Sequence, residues 1–122
     1  MKYLVLMYAD PAATEAMTDR QRAEVFQRHG DLHRDLEGTG EMLNGAGLAH
    51  PRDTTTLRWQ QDGAPVAADG PFTAGQLQLT AYHVLECASP ERAREIAERV
   101  LDFHVVAVEV RPVHDAFGMT GD

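Results

Sequence analysis

Cysteine and lysine are nearly absent from this chain of 122 residues, which has one of each, Cys87 and Lys2. A single cysteine cannot form an internal disulfide, so we expect a fold held together by packing, in a reducing cytoplasmic environment. Cys87 stands in an apolar stretch with no neighbour in sequence that would lower the pKa of its thiol. We therefore interpret it as a small core residue rather than a nucleophile.

Basic clusters and long apolar runs are also missing. The formal net charge is −8, whereas a nucleic-acid-binding surface needs a basic face. The apolar run at residues 3–7 is far too short for a signal peptide or a membrane span. We therefore expect no direct nucleic-acid partner and no membrane association. This length leaves room for one domain, residues 1–122, with residues 114–122 as a loose tail.

The pattern of apolar residues predicts a strand, a helix, a strand, a hairpin, a strand, a helix and a strand, in that order. The strands are predicted at residues 2–8, 41–48, 76–87 and 105–113, the hairpin at 54–67, and the helices at 20–38 and 90–103. Residues 9–18 are interpreted as a loop. Without the hairpin the order is βαββαβ, which predicts an α+β, ferredoxin-like fold with an inserted β-hairpin.

The turn Asp69-Gly70-Pro71-Phe72 leads into the long strand at residues 76–87, which we expect at the centre of the sheet. In the first strand nearly every position is apolar, and such a strand is normally covered on both faces. Two helices can cover only one face of this sheet. We therefore predict a homodimer, in which a second copy of the chain covers the other face.

A histidine stands within the apolar stripe of the first predicted helix. The stripe is Val25, His29, Leu32 and Leu36, at spacings of four, three and four. A carboxylate beside such a histidine would fix its tautomer and hold its pKa near neutrality, which suits acid–base chemistry. Asp69 is the candidate acid. The alternative is that His29 is a hydrogen-bonded core residue and that Asp69 bonds to backbone amides of its own turn.

Three segments, at residues 2–8, 69–72 and 108–113, together resemble the YCII-related proteins, in particular their DGPF-domain branch. The resemblance spans almost the whole chain and implies a dimeric α+β barrel, in which two ferredoxin-like subunits close their sheets against each other. It also implies a His–Asp pair, which His29 and Asp69 match. Members of this branch occur beside or fused to sigma-factor-like regulators, which implies a regulatory alternative.

We therefore predict a small-molecule site in a cleft between the first helix and the sheet. His29 and Asp69 are its acid–base pair, and His33 and Arg111 its substrate-binding groups. The i,i+4 spacing of His29 and His33 suits a shared metal, but no third ligand is evident, so no metal and no cofactor are predicted.

The alternative function is a non-catalytic dimeric module that binds a ligand or a sigma-factor-like regulator, and a third is a purely structural dimer. The remaining histidines are interpreted as structural. His83 is a packing residue that can face the dimer interface, and His50, His104 and His114 are surface residues.

Overall fold

A computed structural model describes residues 1–114 of the chain. The predicted tail, apart from His114, lies outside these residues. The strands are β1 (Lys2–Ala9), β2 (Met42–Gly47), β3 (Thr55–Arg58), β4 (Val66–Asp69), β5 (Gln78–Glu86) and β6 (Val105–Pro112). The helices are α1 (Pro11–Glu15), α2 (Asp19–Leu36) and α3 (Pro90–Glu98), with a short 3-10 turn at Pro51–Asp53.

Four strands form an antiparallel sheet in the order β2-β5-β1-β6. The strands β3 and β4 pair with each other in a separate two-stranded antiparallel sheet. The two central strands of the larger sheet are β5 and β1, and β5 is the strand that the sequence places at the centre. The α+β architecture with an antiparallel sheet confirms the predicted class and is compatible with a ferredoxin-like fold.

The two faces of the larger sheet have different surroundings. Along β1, Tyr3, Val5 and Met7 are buried and belong to one core with residues of α2 and α3. The alternate residues point to the other face. There the apolar side chains are only half-buried in the single chain, and we call this surface the open face. Its central residues on β1 and β5 are Leu4, Leu6, Tyr8, Tyr82 and Val84.

The helix α2 begins with a capping box. The side chain of Thr18 accepts a hydrogen bond from the backbone of Gln21, and the side chain of Gln21 accepts one from the backbone of Thr18. These two bonds satisfy amides that the first turn of a helix leaves free. Leu32 and Leu36 then bury the C-terminal half of the helix in the core. The capped start and the buried end fix which face α2 turns toward the sheet.

Two predicted boundaries are wrong. Residues 9–18 contain α1, because Asp10 caps the helix through the backbone N–H of Ala12 and Pro11 follows as its first residue. The helix α3 ends at Glu98 rather than near residue 103. The backbone N–H groups of residues 99–101 bond to carbonyl groups three residues earlier, so the last turn tightens and the chain leaves the helix.

Within residues 1–114, no helix has both the length and the apolar character needed to cross a membrane.

Candidate functional site

Three histidines converge on one pocket between α2 and the sheet. His29 and His33 come from α2, and His83 comes from β5. The ring centroid of His83 lies 6.4 Å from that of His29 and 6.1 Å from that of His33. The cavity has a volume of about 380 Å³, and we call it the histidine pocket. Its other lining residues are small or apolar, namely Met7, Gly45, Ala46, Gly47 and Ala81.

Helix and strand periodicity together bring these imidazoles to one place. His29 and His33 are four residues apart and therefore share a face of α2. His83 pairs directly with Val5, a core residue of β1, so both side chains point to the helix-covered face of the sheet. The expectation that His83 can face the dimer interface is wrong, because its ring points away from the open face.

The imidazole of His83 is 7% exposed, and neither Nδ1 nor Nε2 has a hydrogen-bond partner in the part of the chain that the structure describes. Burial, together with the neighbouring His29 and His33, lowers the pKa of His83 to about 4. Desolvation has this effect because it penalises the charged form of the ring. His83 is therefore neutral at pH 7, with one nitrogen as a donor and the other as an acceptor.

Gly45 makes room for the ring of His83. The two residues are cross-strand partners in β2 and β5. A Cβ atom at Gly45 would lie 2.3 Å from Nδ1 of His83 and 2.9 Å from the carbonyl oxygen of Tyr82. The pairing of β2 with β5 is also irregular between Met42 and Asn44. Gly45 therefore marks a close approach beside an irregular register, as glycine in a strand often does.

A buried carboxylate, that of Asp102, lies near His29. The side chain of Asp102 is 4% exposed and accepts hydrogen bonds from the backbone N–H of His104 at 2.8 Å and of Val105 at 2.7 Å. Its Oδ1 is also 2.7 Å from Nδ1 of His104, but the two are not aligned for a hydrogen bond. With His29 and Arg28, Asp102 lines a narrow crevice adjoining the pocket.

The pKa of His29 reflects two opposing influences. Burial lowers it below its ordinary value, and the charge of Asp102 acts in the opposite direction by favouring the imidazolium. The neighbouring His104, His33 and Arg28 add smaller effects that lower the pKa. His29 is therefore neutral when the pocket is at rest, and a carboxylate is in place to stabilise the charge if the ring takes up a proton.

Arg28 connects α2 to the segment that carries Asp102. Its guanidinium donates hydrogen bonds to the backbone carbonyl of Leu101 at 2.7 Å and to that of Arg99 at 3.4 Å. The carbonyl groups at the end of α3 are thus partly satisfied by a side chain of another helix. His29 is the next residue on α2, so this link holds the imidazole of His29 and the carboxylate of Asp102 in fixed relative positions.

Two of the predicted site residues lie elsewhere. Asp69 is the last residue of β4, exposed and paired with Thr55 in the small sheet. Arg111 is exposed and pairs with Leu4, which places it on the open face. The structure therefore brings His29 and His33 into the histidine pocket, and Asp69 and Arg111 are not among the residues that line it.

Three residues at or beside this site were missed from the sequence as functional groups: His83, Asp102 and His104. His104 was expected at the surface but is buried, because it lies just before β6 and beside the buried side chain of Asp102. For His83 a signal existed, since it lies two residues before Leu85 and four before Cys87, both core residues, and a strand puts every second side chain on the same face. For Asp102 no sequence signal existed, because its neighbours depend on the path of the loop between α3 and β6.

Other chemistry is less well supported by this geometry. Burial raises the pKa of the Cys87 thiol, which keeps it protonated and poorly nucleophilic at neutral pH. Among the described residues, no group of three or more histidine, cysteine, aspartate or glutamate side chains is placed to hold a metal ion. The arrangement is suited to proton transfer and hydrogen bonding within a small pocket.

Comparison with known proteins identifies a family over nearly the whole chain. A family model described as the YCII-related domain matches residues 1–115. The chain is also 28% identical over 115 residues to a protein of Rhizobium meliloti (strain 1021) named "Uncharacterized protein R00369". That alignment covers 93% of this chain and 92% of the relative. The printed name of the relative assigns no reaction to it.

Proposed function

Since the chain belongs to the YCII-related family, we propose that it is an enzyme that acts on a small molecule by acid–base chemistry in the histidine pocket. His29 is the proton-transferring group, and Asp102 rather than Asp69 is its carboxylate. One observation carries this proposal: His29 lies between a recess containing His33 and His83 on one side and the buried Asp102 on the other. The sequence Asp69-Gly70-Pro71-Phe72 supports assignment to the DGPF-domain branch.

Each group has a role that follows from its surroundings. A neutral His29 accepts a proton from the bound molecule, and the negative charge of Asp102 stabilises the imidazolium that results. Neutral His83 can donate its N–H to an oxygen on which negative charge develops. A base and a neutral donor facing one recess favour removal of a proton next to a carbonyl group.

This reaction class can be tested by proton exchange. We expect the protein to accelerate exchange of the methyl protons of small ketones or 2-oxo acids in D₂O, followed by ¹H NMR. The variant His29→Gln should reduce the rate by a factor of about 100 or more, and His114→Gln, an exposed control, should leave it unchanged. Equal rates in the wild type and His29→Gln would exclude His29 as the base. Binding of these compounds without exchange would favour the non-catalytic module.

We also propose that the protein is a homodimer that closes two open faces against each other, as in a dimeric α+β barrel with the β3–β4 pair as an inserted hairpin. The open face supports this, because Leu4, Leu6 and Val84 are only half-buried in one chain. A contiguous apolar sheet surface of this kind normally packs against a partner.

A further inference from the structure

The unpartnered nitrogens of His83 point to the chemistry of the ligand. Both are buried at the wall of the histidine pocket without a hydrogen-bond partner among the described residues. A buried polar group left unpaired costs about 1–3 kcal/mol, so native proteins pair nearly all such groups with protein, water or ligand. A molecule in the pocket that pairs with one of these nitrogens must therefore present an acceptor to the N–H or a donor to the bare nitrogen.

The charges around the histidine pocket further limit which class of ligand can bind there. Its ionisable lining residues are all imidazoles, namely His29, His33 and His83. No arginine, lysine or carboxylate among residues 1–114 lines it, so a buried anion would have no fixed countercharge from this part of the chain. The cation that these residues can supply is a protonated imidazole. His29 and His33 oppose protonation of His83 in the resting pocket, and an anion placed among the rings removes that opposition.

We propose that the histidine pocket binds the carboxylate group of a small molecule together with one proton, and that His83 is its principal contact. This rests on the proposed function only in using the same pocket, and it names the ligand class. A carboxylate oxygen accepts a hydrogen bond from a protonated His83, and a carboxylic acid donates one to the bare nitrogen of a neutral His83, so the ligand matches one ring nitrogen whichever group holds the proton. The apolar lining by Met7, Ala46 and Ala81 suits a short hydrocarbon portion of the ligand.

The charged neighbours determine the orientation of the ligand. Asp102 faces His29 from the crevice on the far side, so an anion lies more favourably toward His83 and His33 than toward Asp102. Arg28 and His104 also lie near His29 and oppose its protonation. The carboxylate is thus expected at the β5 side of the pocket, which leaves the remainder of the molecule near His29.

Proton uptake makes the affinity depend on pH with a definite sign. His29 and His83 are neutral above their pKa values, and the complex holds one more proton. The dissociation constant therefore rises about tenfold for each pH unit above those pKa values. Because the pKa values of His29 and His83 are both lowered, this rise extends through the range from pH 7 to pH 8.

Propionate and propionamide are matched probes, because they have nearly the same shape and only propionate carries a charge. Isothermal titration calorimetry of the full chain in two buffers of different ionisation enthalpy measures both affinity and proton uptake. We expect saturable binding of propionate with uptake of about one proton, and at least about tenfold weaker binding of propionamide. We expect His83→Gln to weaken propionate binding by at least about tenfold, and His114→Gln to leave it unchanged.

Several results would overturn the inference: equal binding of propionamide, binding without proton uptake, unchanged affinity in a folded His83→Gln, or no saturable binding of propionate. If His83→Gln fails to fold, the propionate-dependent shift of the His83 ring protons in the wild type provides the decisive measurement, and no shift contradicts the proposal. If propionate binds but no carbonyl compound undergoes proton exchange, the proposed enzyme function is contradicted and the inference of a carboxylate site stands. If proton exchange occurs but propionate does not bind, the inference of a carboxylate site is contradicted and the proposed enzyme function stands.

Discussion

The imidazole of His83 lies against the backbone of Gly45, its cross-strand partner, so closely that a single methyl group at Gly45 would approach Nδ1 to 2.3 Å. Contacts under 3.0 Å are essentially absent at real Cβ atoms. The position of one functional ring in β5 therefore depends on the absence of a side chain in β2. This relationship gives a direct way to move His83 without replacing it.

Gly45→Ala is expected to destabilise the protein by about 1–3 kcal/mol, because the new methyl group overpacks a well-filled site. Gly47→Ala is a matched control in the same strand, since a Cβ there has no heavy atom within 4 Å. Urea denaturation measures the free energy of unfolding of both variants. Equal stabilities of the two variants would mean that His83 moves away from Gly45 at little cost.

The stability of the fold is expected to fall as the pH is lowered from 6.5 to about 4. His83 has a pKa of about 4 when folded and 6.5 otherwise, so below pH 6.5 the unfolded chain binds a proton that the folded chain does not. The full effect is about 3 kcal/mol. Urea midpoints across this range should change less in His83→Gln than in the wild type. Parallel pH profiles of the wild type and His83→Gln would show that protonation of His83 does not cause the loss of stability.

Replacing Asp102 by Asn is expected to lower the pKa of His29 further, because the charge that favours the imidazolium is removed. The amide keeps an oxygen for the backbone N–H groups of His104 and Val105, so the local fold is retained. Asp69→Asn is the control and should leave the titration of His29 unchanged. NMR titration of the ring protons distinguishes the two acids, and a response to Asp69→Asn alone would restore Asp69 as the partner.

Sedimentation of the wild type is expected to give twice the mass of one chain, and Leu6→Glu is expected to give a monomer. Leu6 lies on the open face opposite Glu109 of β6, so a glutamate there adds a charge to an apolar contact and repels its neighbour. Phe26→Glu is a matched control, since Phe26 is 82% exposed on α2. A wild-type chain that remains a monomer at all concentrations would contradict the dimer.

Local patterns were sufficient to predict the six strands and the two longer helices. A pattern of only a few neighbouring residues indicates each of them. Examples are the apolar residues of β1, the apolar stripe of α2 and the Ser89-Pro90 start of α3. The start of α1 had such a signal too, in Asp10-Pro11, and was missed because its five residues were interpreted as a loop. The early end of α3 has no comparable signal, because its apolar spacing continues past Glu98.

The candidate site was only partly predictable, for a different reason. His29 stood out because a histidine in an apolar stripe is unusual, and the structure does place it in a pocket. Its neighbours His83 and Asp102 are 54 and 73 positions away in the chain, respectively. Their proximity depends on strand order and on the turn after α3, which no local pattern specifies. Asp69 was chosen as the acid because its turn was conspicuous, a feature that carries no information about distance from His29.

The two hydrogen bonds from Arg28 to the carbonyl groups of Leu101 and Arg99 have a mechanical consequence. They link α2, which carries His29 and His33, to the loop that carries Asp102, so neither moves past the other without breaking a charge-assisted bond. The amides of this loop and of the middle of α2 are accordingly expected to open to hydrogen exchange together. Loss of these two bonds would let His29 and Asp102 move apart while the hydrophobic core stayed intact.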